Sequence, residues 1–83
     1  MKEKRYSVFY ENTVETNEII SFDLKEDAVK YAKLQVKGLK KYDRKDNTGS
    51  NNHEKWFVAD DNNRTECNPT GDIIYQTKYY YNR

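Results

Sequence analysis

One stretch of the chain, residues 24 to 42, has the apolar spacing of an amphipathic helix. The residues on its apolar side form a narrow stripe, which Val29 and Val36 widen on one side: Leu24, Ala28, Tyr31, Ala32, Gln35, Leu39 and Tyr42. Asp23, followed three residues later by Glu26, predicts an N-terminal capping box, because the aspartate carboxylate can accept backbone N–H groups while the glutamate reaches back. Gly38 predicts fraying or a bend near the end of the helix. The stripe is expected to lie across a sheet.

Four short segments flank this helix and have the pattern of strands. Residues 5–11 alternate between apolar and polar side chains, and residues 18–22 are short and β-prone. Residues 55–59 form a continuous apolar run, which is typical of a central strand, and residues 72–79 alternate again. The sequence therefore predicts an α+β fold: a single ββαββ domain with an antiparallel four-stranded sheet and one amphipathic helix packed on one face.

The length of 83 residues leaves room for one core only, so residues 1–83 are expected to form one small domain. Only 35% of the residues are hydrophobic but 14% are aromatic, which predicts that a few large rings supply most of the core. The segment 43–54 is rich in Asp, Asn, Gly and Ser and is predicted to be a mobile loop.

The residues that would carry catalysis or hold a metal are scarce. The chain has one histidine, His53, and one cysteine, Cys67, in different predicted loops. A nucleophilic pair needs both within hydrogen-bond reach, and a zinc site needs about four ligands. The three glycines form no phosphate-binding motif. We therefore expect a protein that is not an enzyme and has no metal or cofactor.

Cys67 also bears on the compartment, since a lone cysteine cannot form an internal disulfide. No apolar run approaches the roughly 18 residues of a membrane helix, and the first residues lack an apolar signal core. These features predict a cytoplasmic protein without a membrane partner.

The outer side of the helix is basic. Residues 25–45 contain eight basic and three acidic residues, whereas the whole chain has a net charge of only +1. The predicted basic binding face consists of Lys30, Lys33, Lys37, Lys40, Lys41 and Arg44. Such a face attracts phosphates or an acidic protein surface, although lysines also simply solvate helices. Lysines outnumber arginines 11 to 4, so any nucleic-acid contact should be mainly electrostatic.

Aromatic residues near the C-terminus form a second candidate surface: Tyr79, Tyr80, Tyr81 and Phe57. Three consecutive tyrosines on a strand cannot all point to one face, so at least one ring should be exposed. Phe57, together with Phe9, would form an open aromatic patch if the sheet face away from the helix is bare. The alternatives for the tyrosines are packing at an edge strand or a frayed end.

The order of a hairpin, a capped helix and a closing hairpin, with Thr70-Gly71-Asp72-Ile73-Ile74 in the last part, resembles small phage and mobile-element proteins, anti-CRISPR proteins among them. The resemblance implies a stoichiometric inhibitor of host or defence machinery and assigns no residue a role. The expected function is a non-enzymatic binding protein that occupies a surface of a larger protein or nucleoprotein. The alternative is nucleic-acid binding through the basic helix face, and a homodimer is a further alternative partner.

Overall fold

A computed structural model describes residues 5–41 and 53–81. These residues form five strands, one helix and one 3₁₀ turn. In chain order the elements are β1 (Tyr6–Asn12), β2 (Thr16–Phe22), α1 (Lys25–Val36), β3 (His53–Asp60), the 3₁₀ turn (Asp61–Asn63), β4 (Asp72–Gln76) and β5 (Tyr80–Tyr81). The predicted α+β class and the ββαββ order are confirmed.

The sheet is antiparallel throughout, with the strand order β2-β1-β3-β4. β3 lies at the centre, as its continuous apolar run predicts. It pairs with β1 along its length, from Tyr6 opposite Asp60 to Asn12 opposite Glu54. Its other edge pairs first with β5 and then with β4. The segment predicted as strand four, residues 72–79, is therefore a strand only as far as Gln76, where β4 ends. Pairing with β3 resumes at Tyr80 as β5.

Thr77 is the residue at which this outer strand changes course. Its N–H donates to the Trp56 carbonyl at 2.9 Å, as in an ordinary ladder. The return bond goes to the side chain instead, because the Trp56 N–H donates to Thr77 Oγ1 at 3.0 Å. The same hydroxyl donates to the Lys78 carbonyl at 2.8 Å. The threonine side chain thus takes the place of a backbone acceptor, and the strand is interrupted between β4 and β5.

Helix α1 is shorter than the predicted span of residues 24–42. It starts after Leu24, which is extended and makes no side-chain capping bond, so the predicted Asp23–Glu26 capping box does not form. It ends at Val36 because Gly38 has a φ of 84°. Leu39 N–H donates to the Val36 carbonyl at 3.1 Å, closing a tight turn whose third residue needs the left-handed conformation that glycine adopts most easily. Tyr42 lies outside the described residues.

The core between helix and sheet is built from small side chains. Val8 and Val58 on the central strands meet Ala28 and Ala32 on α1, and all four are fully buried. Half-buried aromatic residues surround this centre: Tyr6, Phe22, Tyr31, Trp56 and Tyr75. On this face of the sheet the large rings therefore form the border of the core and not its centre, because alanines let the helix approach the sheet closely. Leu24, predicted on the buried stripe, is 54% exposed.

The opposite face of the sheet is not bare. Phe9 and Phe57 stack with their ring centroids 4.9 Å apart and are only 4% and 2% exposed. The guanidinium of Arg64, from the loop that follows β3, lies 5.9 Å from the Phe9 ring centroid. The predicted open aromatic patch is therefore wrong, and Phe57 is a core residue rather than an exposed one. This burial depends on the tertiary structure, because Arg64, which lies over the Phe9 ring, is distant from Phe9 in the sequence.

The predicted mobile loop, residues 43–54, is wrong at its C-terminal end. β3 already begins at His53, and Glu54 is 7% exposed, with its carboxylate accepting a bond from Trp56 Nε1 at 3.1 Å. The rest of the predicted loop lies outside the described residues, and so does Arg44 of the predicted basic face.

Candidate docking groove

A groove of about 1070 Å³ runs between helix α1 and the outer edge formed by β4, residues 77–78 and β5. We call it the lysine groove. Its lining comes from both sides of this cleft: Lys25, Glu26, Val29, Lys30, Lys33, Leu34, Val36, Lys37, Lys41, Tyr75, Gln76, Thr77, Lys78 and Tyr80. The strand side of the groove is held by β3, which pairs with both β4 and β5.

Six lysines form the rim of the lysine groove: Lys25, Lys30, Lys33, Lys37, Lys41 and Lys78. All six side chains are exposed, and the only acidic residue in the lining is Glu26. The ion pairs within residues 5–41 and 53–81 involve Arg5, Lys55 and Arg64, so none of them neutralises a groove lysine. Six like charges with a single carboxylate among them create a positive potential that attracts anions.

The floor of the lysine groove is apolar. Val29 and Val36 of the helix face the rings of Tyr75 and Tyr80 across the cleft, and Leu34 adds a side chain that is 55% exposed. Lys33 Nζ lies 5.8 Å from the Tyr75 ring centroid, which is within the range of a cation–π contact. An apolar floor under a basic rim can bind a ligand that offers both apolar groups and negative charge.

Only some residues of the predicted basic face line the groove. Lys30, Lys33, Lys37 and Lys41 all line the groove. Lys40 does not, because its Nζ lies 5.6 Å from the ring centroid of Tyr81. The turn at Gly38 changes the direction of the chain after α1, so the lysines beyond it no longer follow the helical spacing on which the prediction rested.

The three tyrosines of the second predicted surface also separate. Tyr80 lines the groove and is half-buried. Tyr79, which is 38% exposed, lies with Glu11 and Lys55: its hydroxyl donates to Glu11 at 3.2 Å, and Lys55 Nζ is 5.0 Å from its ring centroid. At least one tyrosine is thus exposed, as predicted. Only Tyr80 joins the basic helix face in one site.

Sequence reasoning missed several parts of the groove. Lys78 was not predicted because a single lysine in an alternating segment carries no signal. Tyr75 lies in the segment predicted as strand four, and it lines the groove from β4, the edge strand. Leu34 gave a weak signal: it is the apolar residue of α1 that falls outside the predicted buried stripe.

On the face of the sheet away from the helix, a polar cluster holds in place the loop between β3 and β4, which carries Arg64 and which we call the covering loop. Arg64 Nη2 donates to Glu18 at 2.9 Å, and Arg64 Nε donates to the Pro69 carbonyl at 2.6 Å. The bond from Arg64 lowers the pKa of Glu18 below its ordinary value, with smaller contributions from the Ser7 and Ser21 hydroxyls. This cluster fastens the loop to β2 and leaves the groove side untouched.

Within residues 5–41 and 53–81, no group of three or more His, Cys, Asp or Glu side chains is placed to hold a metal ion. Cys67 is exposed and not part of a disulfide. No helix in the described part of the chain has the length and apolar character needed to cross a membrane.

No protein-family model, curated protein or solved structure matches this chain. Its function therefore has to be argued from the groove itself.

Proposed function

We propose that this chain is a non-enzymatic binding protein that occupies a surface of a larger protein, and that the lysine groove is its main contact surface. The observation that carries the proposal is the rim of six exposed lysines, none of which forms an ion pair with another described residue, above an apolar floor. A surface that only keeps a helix in solution needs charge but no cleft, whereas a binding site needs shape, apolar area and charge together. A stoichiometric inhibitor, which blocks its partner by occupying a surface, needs no feature beyond such a binding site.

The rival function is direct binding of nucleic acid, and the lysine rim also supports it. Phosphates would be attracted to the same ammonium groups, and affinity would then fall steeply as the salt concentration rises. The floor favours protein, because three of its five apolar members, Val29, Leu34 and Val36, are aliphatic and cannot stack with bases as aromatic rings do.

The charge reversal Lys37→Glu tests the proposed surface. Lys37 lines the groove, so a carboxylate there should weaken capture of the partner by about tenfold through like-charge repulsion. Lys40→Glu is the matched control, since it makes the same charge change at an exposed lysine three residues away that lies outside the groove. The measurement is affinity capture from nuclease-treated extract of the source cells, with quantification of each captured protein.

Capture of the same protein by the wild-type chain and by Lys40→Glu, with a clear loss for Lys37→Glu, supports the proposal. Equal capture by both variants would contradict it. Capture that occurs in untreated extract but is lost for all chains in nuclease-treated extract, together with salt-sensitive binding of oligothymidylate by the purified chain, would favour the nucleic-acid function instead.

A further inference from the structure

We infer that the segment of the partner that enters the lysine groove is an acidic peptide with interspersed aliphatic side chains. This inference rests on the proposed function and names the chemistry of its ligand. The carboxylates would face the lysine rim, and the aliphatic groups would cover the floor.

Charge complementarity is the first argument. Six ammonium groups face one carboxylate in the lining, so a bound segment has to bring several negative charges to balance them. The lysines stand on both walls, with Lys30 and Lys33 on the helix and Lys78 on the strand side. A ligand lying along the cleft would therefore meet cations on either side, which fits a chain with carboxylates along its whole length better than one with a single charged end.

The second argument is the exposure of Leu34. It is 55% exposed at the groove, beside the half-buried Val29 and the buried Val36. Covering such a side chain is favourable by roughly 25 cal/mol for each Å² of apolar surface removed from water. A purely polyanionic ligand would leave this surface wet. The Lys33 ammonium group, moreover, lies over the Tyr75 ring, 5.8 Å from its centroid, on a side where a base would have to stack.

The third argument is size. Small-molecule pockets are roughly 300–1,000 Å³ and enclose their ligand, whereas this cleft is slightly larger and open. Helix α1, one wall of the cleft, has 12 residues and is therefore about 18 Å long. An extended peptide advances about 3.3 Å per residue, so five or six residues would span the wall.

The experiment uses the purified full chain and three labelled peptides of about ten residues, a length that exceeds the groove by a few residues at about 3.3 Å each. The first peptide has leucines interspersed among glutamates. The second has serine in place of each leucine, and the third has lysine in place of each glutamate. Binding is followed by fluorescence anisotropy, with oligothymidylate as the nucleic-acid probe. We expect the first peptide to bind at least about tenfold more tightly than either of the others.

A matched pair of leucine variants locates the binding. Leu34→Ala removes the exposed groove leucine, whereas Leu24→Ala removes a leucine of nearly equal exposure, 54%, that does not line the groove. Leu34→Ala should weaken binding of the glutamate–leucine peptide by at least about tenfold, since about two or three methylene equivalents are lost from the contact. Leu24→Ala should leave that affinity unchanged.

Three outcomes would overturn the inference. They are equal affinity for the serine and leucine peptides, no difference between the two leucine variants, and preferential binding of oligothymidylate. Failure of the inference can be told from failure of the proposed function. If no peptide binds while capture of a cellular protein still depends on Lys37, the proposed function stands and the ligand chemistry is wrong. If capture is also indifferent to Lys37, the proposed function fails.

Discussion

Single residues decide how the outer edge of this sheet is shaped. Thr77 supplies a hydroxyl where the ladder would ordinarily use a carbonyl, and Gly71 supplies a backbone conformation that other residues rarely adopt. Neither residue is apolar or charged, so neither stands out in a pattern of hydrophobic periodicity. Both are buried, and both act on the position of β4, which is one wall of the lysine groove.

Thr77→Val tests the role of the hydroxyl. Valine has nearly the same shape but leaves the Trp56 N–H without its acceptor, which should lower the free energy of unfolding by about 1–3 kcal/mol. Thr77→Ser keeps the hydroxyl and is the control, with a smaller loss expected. Urea denaturation followed by tryptophan fluorescence measures both variants. Equal stability of Thr77→Val and the wild-type chain would show that the hydrogen bond is not needed.

Gly71→Ala and Gly38→Ala separate two costs of replacing a glycine. Both glycines have a positive φ, 85° and 84°. A Cβ on Gly71 would lie 2.3 Å from the Asp60 carbonyl oxygen, whereas a Cβ on Gly38 would have no neighbour within 4 Å. Gly38→Ala should therefore cost about 1 kcal/mol from the backbone conformation alone, and Gly71→Ala clearly more. Thermal unfolding of both variants measures the difference, and equal losses would contradict the close contact.

At the scale of elements, two arginine–carboxylate pairs connect parts of the chain that are distant in sequence. Arg5, just before β1, donates from Nε and Nη2 to both oxygens of Asp60 at 2.8 Å, at the end of β3. Arg64 of the covering loop donates to Glu18 of β2. These bonds lower the pKa of Asp60 and of Glu18. The paired, fork-like geometry of Arg5 and Asp60 gives that contact more direction than a simple surface ion pair.

The lowered pKa values predict how stability depends on pH. A carboxyl group with a lower pKa in the folded than in the unfolded chain adds stability above its ordinary pKa and loses it as the pH falls through the folded value. The free energy of unfolding should therefore fall as the pH drops below about 4, the ordinary range of these groups. Glu18→Gln should flatten this dependence, and Glu15→Gln, an exposed residue of the same hairpin, should not. Urea denaturation across this pH range measures the slope; an unchanged slope in Glu18→Gln would contradict the role of the pair.

Helix α1 shows how far an element can be predicted from its own residues. The spacing of Ala28 and Ala32 correctly indicates the buried side, because side chains three or four positions apart share a face. The ends of the helix were predicted less well. The N-terminal end depends on whether Asp23 actually reaches a backbone N–H, and the C-terminal end depends on whether Gly38 turns the chain or stays helical.

At the scale of the whole molecule, the two faces of the sheet have different covers. The helix packs on one face, and the loop that carries Arg64 reaches the stacked phenylalanines on the other. Both faces have covers, and the lysine groove lies at the side, between α1 and the outer strands. The proposed contact surface thus lies at the border of the helix and the outer strands, and not on a bare face of the sheet.

The sequence by itself determined the order and type of the main elements, the central place of β3 and the buried side of α1. Hydrophobic periodicity is local, so it can be seen without knowing what lies opposite. The tertiary structure decided that Phe57 is buried, that Lys40 and Tyr79 do not line the groove, and that Lys78 and Tyr80 join the helix lysines. Those outcomes depend on strand register and on contacts between residues more than 30 positions apart, for which neighbouring residues carry no signal.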